Sequence, residues 1–287
     1  MSLPEPPSPA PSELTIRRLE WEPDEQLSSR TWAYTALLAG CPVAVQAVVF
    51  RADQSVLYLT PDLKRDVIFE EATISLVIRS MAERIQQDLA GLDVVFQQAA
   101  IEEGDDVASA ALEAAGFQPL TDVCELARPI DSGSTSSGSK NSSVELVATP
   151  LESPLWEQAF AASLAGGLDV PELLERRGPA ESFQSLRLLA GDDTEHWRIA
   201  FQNHAVVGLV LPTPLPDGTA EIQYMGVSPD HRRQGIGKQL VSDAIEAAAD
   251  LGATSLIVHV DARNVPALRL YESMGFARTS CRSLWIK

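Results

Sequence analysis

The feature that most constrains the fold is a series of helix, strand, helix and Gly-Phe that occurs twice in the chain. The first copy ends at Gly116-Phe117 and the second at Gly275-Phe276. Upstream of each pair, helical spacing of apolar residues gives way to a short apolar run typical of a strand. Duplication of one domain explains two series in the same order better than chance matching does.

The two copies are separated by a segment of low complexity. Residues 131–143 read DSGSTSSGSKNSS and contain no aliphatic side chain, which predicts a flexible linker. Residues 1–13 are rich in Pro and Ser, and we expect them to lie outside any core as a disordered N-terminus. The predicted domains are therefore residues 14–130 and 144–287, in a chain of 287 residues that is long enough for two cores.

Charge and cysteine usage limit the class of protein. Forty acidic residues against 22 basic ones give a formal charge of −18, which argues against nucleic-acid binding. The same charge serves either solubility or the attraction of cationic substrates. The three cysteines form no CxxC pair, no signal peptide is recognisable, and no apolar run approaches the roughly 18 residues of a membrane span. We expect a soluble, reduced, cytoplasmic protein with no membrane partner, and the oligomeric state is left open.

The second domain is predicted to alternate strands and helices. Turn residues and apolar spacing define the elements. They are a helix after Ser153-Pro154 that stops at Gly166-Gly167, a short helix from Val170, strands over 196–202, 205–211 and 220–227, a helix from Ile236 to Gly252, a strand over 255–260, a helix after Asn264 and a closing strand over 277–287.

A glycine-containing loop follows the strand that ends at Val227. The segment VSPDHRRQGIGK places Gly235 and Gly237 where a helix begins, so that backbone N–H groups without helical partners can approach a phosphate closely. Arg232, Arg233 and Lys238 stand beside them. The alternative is an ordinary strand-to-helix turn that uses glycine for geometry alone. The dinucleotide fingerprint and the Walker ending are both absent, which excludes those two phosphate sites.

The loop and its neighbours resemble the acetyl-CoA site of the GCN5-related N-acetyltransferases, the GNAT superfamily. The resemblance covers about residues 195–287. It is carried by Val227, Pro229, Arg232, Gly235, Gly237, Asn264, Tyr271 and Gly275-Phe276. It implies that acetyl-CoA is held by its pyrophosphate at the loop and by its pantetheine arm along the strand. The implied contacts are Met225, Val227, Arg232, Arg233, Gln234, Gly235, Ile236, Gly237, Lys238 and Asn264.

The resemblance also implies two catalytic side chains. Glu221 matches the glutamate that acts as general base in the histone-acetyltransferase branch, and Tyr271 matches the tyrosine that protonates the leaving thiolate. A solvated strand-end charge and a core aromatic are the structural alternatives for these two residues. Asn264 caps a helix, contacts the pantetheine arm, or does both. A backbone N–H of Met225 or Val227 is the candidate oxyanion donor, and Gly226 is expected to permit a bulge or splay of the strand.

The remaining candidates favour structural roles. Cys281 is interpreted as a buried thiol rather than an acyl acceptor, and His259 with Asp261 as a hydrogen-bonded surface pair. The histidines show no metal spacing, so no metal site is predicted. The first copy has Leu112 at the tyrosine position and no R-x-x-G-x-G, so we expect a degenerate domain without the usual CoA site.

The resulting prediction is an α/β protein of two tandem GNAT-like domains, each a mixed, mostly antiparallel sheet flanked by helices. The second domain would move an acetyl group to a primary amine of a small acceptor by direct attack. A non-catalytic acyl-CoA-binding or regulatory module is the alternative, and transfer of a longer acyl group is also open.

Overall fold

The computed structural model describes residues 14–19, 31–51, 54–59, 61–64, 70–130, 144–176 and 178–287. The predicted disordered start and the linker over 131–143 lie outside the described residues. The chain divides into two compact units: unit 1 runs to Leu120 and includes Ser283–Lys287, and unit 2 is Thr121–Arg282. None of the helices in the described ranges is long and apolar enough to cross a bilayer.

Unit 1 contains most of the elements of the first sequence copy. In chain order they are β1 (Leu14–Leu19), β2 (Thr31–Leu38), β3 (Cys41–Phe50), β4 (Ser55–Tyr58), β5 (Asp62–Leu63), α1 (Glu71–Leu89), β6 (Phe96–Glu102), α2 (Asp106–Ala114) and the start of β7 (Gln118–Pro129).

The sheet of unit 1 is mixed. β1, β2, β3 and β4 pair antiparallel in order, and β4 pairs parallel with β6 across helix α1. The end of the last strand of the chain lies beside β6, where Gln97 and Lys287 exchange two backbone hydrogen bonds of 2.9 Å. One face of α1 is buried against this sheet through residues that include Val77, Met81 and Ile85.

Unit 2 contains the rest of β7 and all later elements except the last residues of the chain. These elements are β8 (Glu145–Val147), α3 (Leu155–Leu164), α4 (Pro171–Arg176), α5 (Pro179–Ala190), β9 (Arg198–Gln202), β10 (Ala205–Pro214), β11 (Ala220–Val227), α6 (Ile236–Asp250), β12 (Ser255–Asp261), α7 (Val265–Ser273) and β13 (Ala277–Ile286).

The sheet of unit 2 follows the order β7-β12-β11-β10-β9-β8. Among the described strands of this unit, β11 and β12 are the pair that runs parallel, with α6 as the connection between them. The mixed, mostly antiparallel α/β class predicted from the sequence is confirmed. Two core clusters form in this unit, one that includes α6 and one that includes α3 and α5.

Local sequence signals predict the bounds of the later elements of unit 2 closely. The strand over 220–227 is reproduced, and the apolar spacing that begins at Ile236 becomes the buried face of α6. The tight turn at Asn203-His204 has positive φ at both residues, 50° and 65°. Strand β8 and helix α5 were not predicted, because neither the three-residue strand nor the Pro179 helix start stood out from its surroundings.

Strand β7 shows how the compact units differ from the sequence division at 130 and 144. Val123–Pro129 pair antiparallel with the whole of β12, and Thr121 onward belongs to unit 2. The domain bounds 14–130 and 144–287 stay a prediction about ancestry. As a physical unit, the second half of the chain requires a strand from the first.

Candidate active site

The two central strands of unit 2 separate soon after they pair. β11 and β12 are matched at Ala220–Leu256 and Glu221–Ile257, and their register holds these two pairs only. Both strands continue past that point, β11 as far as Val227. Beyond Glu221, one edge of β11 therefore faces a split in the sheet instead of a neighbouring strand.

The split exposes main-chain N–H groups of β11. This strand pairs antiparallel with β10, with Val210 opposite Met225, and Ser228 donates its N–H to the carbonyl of Val207 at 2.9 Å. Because N–H directions alternate along an antiparallel pair, the N–H groups of Met225 and Val227 point to the other edge, into the split. These are the two amides that the sequence proposes for the pantetheine arm and the oxyanion.

The irregularity of β11 lies at a different residue from the one expected. The register passes from Leu211–Tyr224 to Pro212–Ile222, which leaves Gln223 as the extra residue of a bulge. Gly226 is needed for another reason: a Cβ there would lie 2.5 Å from the hydroxyl of Ser163 and 2.7 Å from that of Tyr224. The bulge therefore lies at Gln223 instead of Gly226, whereas Gly226 does lie in the part of β11 that has separated from β12. The close approach of Ser163 on α3 requires the glycine.

The loop before α6 carries a fan of backbone donors. Gly235 is the N-cap residue and has a left-handed φ of 85°, while no neighbour lies within 4 Å of its missing side chain. Lys238 and Gln239 both donate their N–H groups to the carbonyl of Gly235. Within the described part of the chain, the N–H groups of residues 233–237 have no protein acceptor. Such donors at a helix N-terminus fit a pyrophosphate.

The side chain of Arg232 is already occupied by protein. Its guanidinium donates to the carbonyls of Val227 at 2.9 Å, Ser163 at 3.0 Å, Ala165 at 2.7 Å and Gly166 at 2.9 Å. Arg232 therefore fastens the loop to the end of α3, where helix carbonyls lack partners.

The side chains of Arg233 and Lys238, in contrast, are exposed and make no hydrogen bond or ion pair with the described residues. They are the side chains of this loop that are available to an anion. Since charge-assisted bonds to phosphate add to those of the amides, the loop as a whole fits the phosphates of acetyl-CoA.

Glu221 belongs to a cluster of three ionisable side chains. Its Oε1 lies 2.9 Å from Nδ1 of His259, and Nε2 of His259 lies 3.6 Å from Oε2 of Glu125 on β7. The hydrogen bond with Glu221 raises the pKa of His259 above its ordinary value, against the opposing effect of burial. The expected pairing of His259 with Asp261 is therefore wrong, because a carboxylate on each adjacent strand is nearer to the ring.

Tyr271 points from α7 into the core of unit 2. Its ring is buried and makes an edge contact with Phe276 at a centroid distance of 5.3 Å. Burial raises the pKa of the phenol well above its ordinary value, so the hydroxyl keeps its proton at neutral pH. No described residue hydrogen-bonds this hydroxyl. Tyr271 is at once a core aromatic and a protonated donor without a protein acceptor.

Asn264 caps α7, as expected. Its side chain accepts a hydrogen bond from the N–H of Ala267 at 3.2 Å. It also hydrogen-bonds the carboxyl of Asp169, whose pKa is raised by desolvation and whose other contact is the N–H of Asp261 at 2.8 Å. The capping role is confirmed, and a contact with a pantetheine arm stays a prediction.

Asp261 is the buried anchor for the segment between α3 and α4. It accepts hydrogen bonds from Thr121 at 2.8 Å and from the N–H of Val170 at 3.1 Å, and it pairs with Arg263. Burial alone would raise its pKa, but these bonds, led by that of Arg263, hold it below the ordinary value. Arg263 also forms a bidentate pair with Glu172 at 2.7 and 2.9 Å. The sequence offered no signal for this network.

Cys281 is not a free thiol. It forms a disulfide with Cys124, and the residue is half-buried rather than buried. The expectations of a reduced protein and of a buried structural thiol are both wrong for this pair. The free cysteine of the described residues, Cys41, is exposed on β3. The sulfur of Cys281 is therefore unavailable as an acyl acceptor.

The split sheet, the donor loop and the protonated tyrosine are the features that the sequence resemblance assigns to an acyl-CoA site. Residues 168–276 match the model of the acetyltransferase (GNAT) family. The family that the motif predicted is therefore the one whose model matches this segment of the chain.

Two curated relatives are similar to part of the chain. Human N-acetyltransferase 8 is 35% identical over 86 residues, which cover 28% of this chain and 38% of the relative. Mycothiol acetyltransferase of Thermomonospora curvata is 40% identical over 80 residues, covering 28% and 27%. The chain thus spans less than half the length of these relatives.

Two solved structures share the fold over most of the chain. A GCN5-related N-acetyltransferase from Sphaerobacter thermophilus aligns with a TM-score of 0.62 at 19% identity, covering 89% of this chain and 80% of that one. A tandem GNAT protein from the clavulanic acid biosynthesis pathway aligns with a TM-score of 0.58 at 14% identity, covering 91% and 83%. At these identities, the likeness concerns the fold.

Proposed function

We propose that this protein is an N-acetyltransferase that moves the acetyl group of acetyl-CoA to a primary amine of a small acceptor by direct attack. The observation that carries the proposal is the fan of N–H groups at residues 233–237, which find no acceptor in the described part of the chain, next to a split sheet that holds Glu221. Acetyl-CoA, when bound, supplies the activated acetyl group. The loop with Arg233 and Lys238 would hold its phosphates, and the N–H groups of Met225 and Val227 would meet its arm and the developing oxyanion.

The side chains around the split supply the proton transfers. An alkylammonium with a pKa of about 10.4 must lose a proton before its nitrogen can attack, and Glu221 serves as the base, directly or through a neighbour. Tyr271 keeps its proton and donates it to the leaving thiolate. Direct attack is favoured because Cys281 is held in a disulfide and cannot carry an acyl group.

The acceptor is proposed to be small and cationic or amphoteric. The formal charge of −18 attracts cations and repels nucleic acid. The segment over 155–189, which includes α3, α4 and α5, is the part of unit 2 expected to select the acceptor. We also propose a cytoplasmic location. The disulfide argues against this location, because disulfides are rare in the cytosol.

Thiol release tests the proposal against a module that binds acyl-CoA without chemistry. The protein is mixed with acetyl-CoA and, in turn, glucosamine, spermidine and lysine, and free CoA is measured with a thiol reagent. Amine-dependent release is expected for at least one probe, with the acetylated amine as the second product. Tight acetyl-CoA binding without release for any primary amine supports the non-catalytic alternative, and repeating the assay with longer acyl-CoA esters defines the acyl group.

A further inference from the structure

Three strands of unit 2 contribute one side chain each to a linear set of contacts, here called the His259 cluster. Its members are Glu221 on β11, His259 on β12 and Glu125 on β7. His259 lies two residues past Ile257, the last residue of β12 that pairs with β11, and so stands at the start of the split. The cluster therefore lies where the open edge of β11 begins.

The two ring nitrogens of His259 have different surroundings. Nδ1 lies 2.9 Å from Glu221, a hydrogen-bond distance, whereas Nε2 is 3.6 Å from Glu125, too long for a direct hydrogen bond. With the proton of the neutral ring on Nδ1, donated to Glu221, the lone pair of Nε2 is free. A carboxylate that fixes the tautomer of an imidazole in this way leaves the other nitrogen as a base.

We propose that His259 is the general base of the acetyl transfer and that Glu221 is a positioning residue that acts through it. This inference rests on the proposed function and deepens it, since it assigns the proton to a stated atom. Nε2 of His259 takes one proton from the acceptor ammonium, and the lone pair freed on nitrogen forms the new bond to the acetyl carbon. The bond between that carbon and the sulfur of CoA breaks, the thiolate takes the proton of Tyr271, and the second proton of the attached nitrogen restores the Tyr271 hydroxyl, directly or through solvent. After the transfer, the proton on Nε2 leaves to solvent, because 43% of the side chain of His259 is exposed.

The choice of base follows from matching acidity to the task. A general base is most effective when its pKa lies near the working pH, and an ordinary carboxyl at about 4.3 is a weak acceptor for an ammonium proton. The pKa of His259 is raised above 6.5 by its hydrogen bond to Glu221 and by the charges of Glu221 and Glu125, while burial and the charge of Arg282 oppose this. Both carboxylates thus make the ring a stronger base.

Glu125 is held in place independently of the histidine. Its Oε1 accepts a hydrogen bond from the hydroxyl of Thr279 on β13, which leaves Oε2 directed to the side of Nε2. Oε2 of Glu125 lies 3.6 Å from Nε2 of His259. An acceptor ammonium that donates a hydrogen bond to Nε2 would therefore lie beside this carboxylate, which would offset part of its positive charge. Within the described residues, no group of three or more acidic, Cys and His side chains is arranged to hold a metal ion.

Activity as a function of pH separates the two candidate bases. Glu221→Gln, His259→Gln and Glu125→Gln are compared in kcat and kcat/KM with acetyl-CoA and the best amine among glucosamine, spermidine and lysine. His196→Gln is the matched control, because His196 also pairs with a neighbouring glutamate, Glu195 at 3.2 Å, in the same unit.

The base must be neutral to act, so kcat/KM rises with pH through the pKa of His259. We expect His259→Gln to lower kcat by about 10²-fold or more and to remove this acidic limb. Glu221→Gln should lower kcat less and move the limb to lower pH, because the main cause of the raised pKa is gone. Glu125→Gln should give a smaller shift in the same direction with kcat within a few-fold of the parent.

Nuclear magnetic resonance titration of the histidine rings gives a readout without turnover. In the unliganded protein, the ring assigned by its loss in His259→Gln should titrate above about 6.5, and both glutamine variants of the cluster should lower that value. His196→Gln should change neither the titration of His259 nor the acidic limb.

Two results overturn the inference while the proposed function stands. One is full activity in His259→Gln, with the largest loss in Glu221→Gln and an unmoved limb. The other is a His259 ring that titrates at or below its ordinary pKa and ignores Glu221→Gln. If the parent protein releases no thiol with any probe amine, the proposed function fails instead, and the role of His259 fails with it.

Discussion

Helices α2 and α7 are built alike, yet they differ at the position of the proposed proton donor, Tyr271. Asp105 caps α2 by accepting from the N–H of Ala108 at 3.0 Å, as Asn264 caps α7. Each helix is followed by a glycine in the left-handed region, Gly116 with a φ of 86° after α2 and Gly275 with a φ of 85° after α7. Each of these residues of α2 precedes its counterpart in α7 by the same number of positions in the sequence. By that count, Leu112 is the counterpart of Tyr271.

The likeness extends to the strands that each unit takes from the other half of the sequence. In unit 2, Arg128 of β7 donates to the carbonyl of Met274 at 2.7 Å, at the end of α7. In unit 1, Lys287 donates to the carbonyl of Ala115 at 2.8 Å, at the end of α2. The same offset again relates the two pairs. Caps and ends of helices have therefore been kept in both copies, because folding requires them whether or not a site is present.

Helices α1 and α6, each of which follows the first parallel strand of its unit, differ at their N-termini. α6 starts from the left-handed Gly235, whereas α1 starts from Glu70 with extended φ and ψ of −88° and 126°. The expected absence of a glycine loop in the first copy falls partly on residues 65–69, outside the described residues. The comparison shows that helix caps and apolar faces determine the fold, whereas one loop and a few polar residues form the candidate site.

The largest effect is expected when the second copy is separated from β7. A chain of residues 144–287 lacks the strand that pairs with β12 over Val123–Pro129, and it lacks Cys124 of the disulfide. We expect no cooperative thermal transition by circular dichroism and no acetyl-CoA binding by calorimetry. Residues 14–287, as control, should melt as the parent does. A fragment 144–287 that folds and binds like the parent would contradict the composition of unit 2.

A carboxylate at the donor loop should affect binding next most. Gly235→Asp places a negative charge against the proposed phosphates, and we expect acetyl-CoA affinity to fall about 10²-fold or more by calorimetry. Gly104→Asp is the matched control in unit 1, since Gly104 has a φ of 82°, precedes helix α2 and also has no neighbour within 4 Å. Equal losses in both variants would mean that backbone strain, rather than the phosphate site, explains the effect.

The variant Tyr271→Phe tests whether the hydroxyl that Tyr271 has and Leu112 lacks takes part in catalysis. Because a proton donor to the thiolate matters in the transition state, we expect kcat to fall about 10- to 100-fold with little change in acetyl-CoA affinity. Tyr58→Phe in unit 1 is the control; it loses hydrogen bonds to Gln86 and Gln97, so stability should fall without a change in kcat. An unchanged kcat in Tyr271→Phe would show that Tyr271, like Leu112, serves only to pack the core.

Two neighbouring arginines of the loop should separate stability from binding. Arg232→Lys loses the fork that spans the end of α3, and we expect about 1–3 kcal/mol of stability to be lost in denaturant unfolding. Arg233→Lys should leave stability unchanged and weaken acetyl-CoA binding several-fold. The reverse pattern would show that Arg232 is the phosphate ligand.

The smallest expected effect concerns the charge of the whole chain. If a charge of −18 steers a cationic acceptor, kcat/KM for spermidine should fall several-fold as the screening length shortens from about 30 Å at 0.01 M to about 3 Å at 1 M salt. A zwitterionic amine such as lysine should respond less. A rate that rises with salt would leave solubility as the use of the charge.

The predictable parts of the molecule are those set by near neighbours in sequence. Gly235, Asn264 and Gly275 were recognised because a left-handed turn or a cap needs particular residue types within a few positions. The contacts of Arg232 with Ser163 and of Asp261 with Thr121 were not, since these partners are far away in the sequence and no local spacing connects them. Glu125 and Cys124 lie on a strand assigned to the other domain, so their contacts with His259 and Cys281 depend on an exchange of strands that local patterns do not encode.

The central claim is that one of the two copies binds acetyl-CoA, and it does so through the loop before α6. Isothermal calorimetry of the whole chain, joined to hydrogen exchange with and without acetyl-CoA, tests it most directly. The account predicts one acetyl-CoA per chain and slowed exchange at the N–H groups of residues 233–237. Two equivalent sites, or protection at the start of α1 in place of the start of α6, would contradict it.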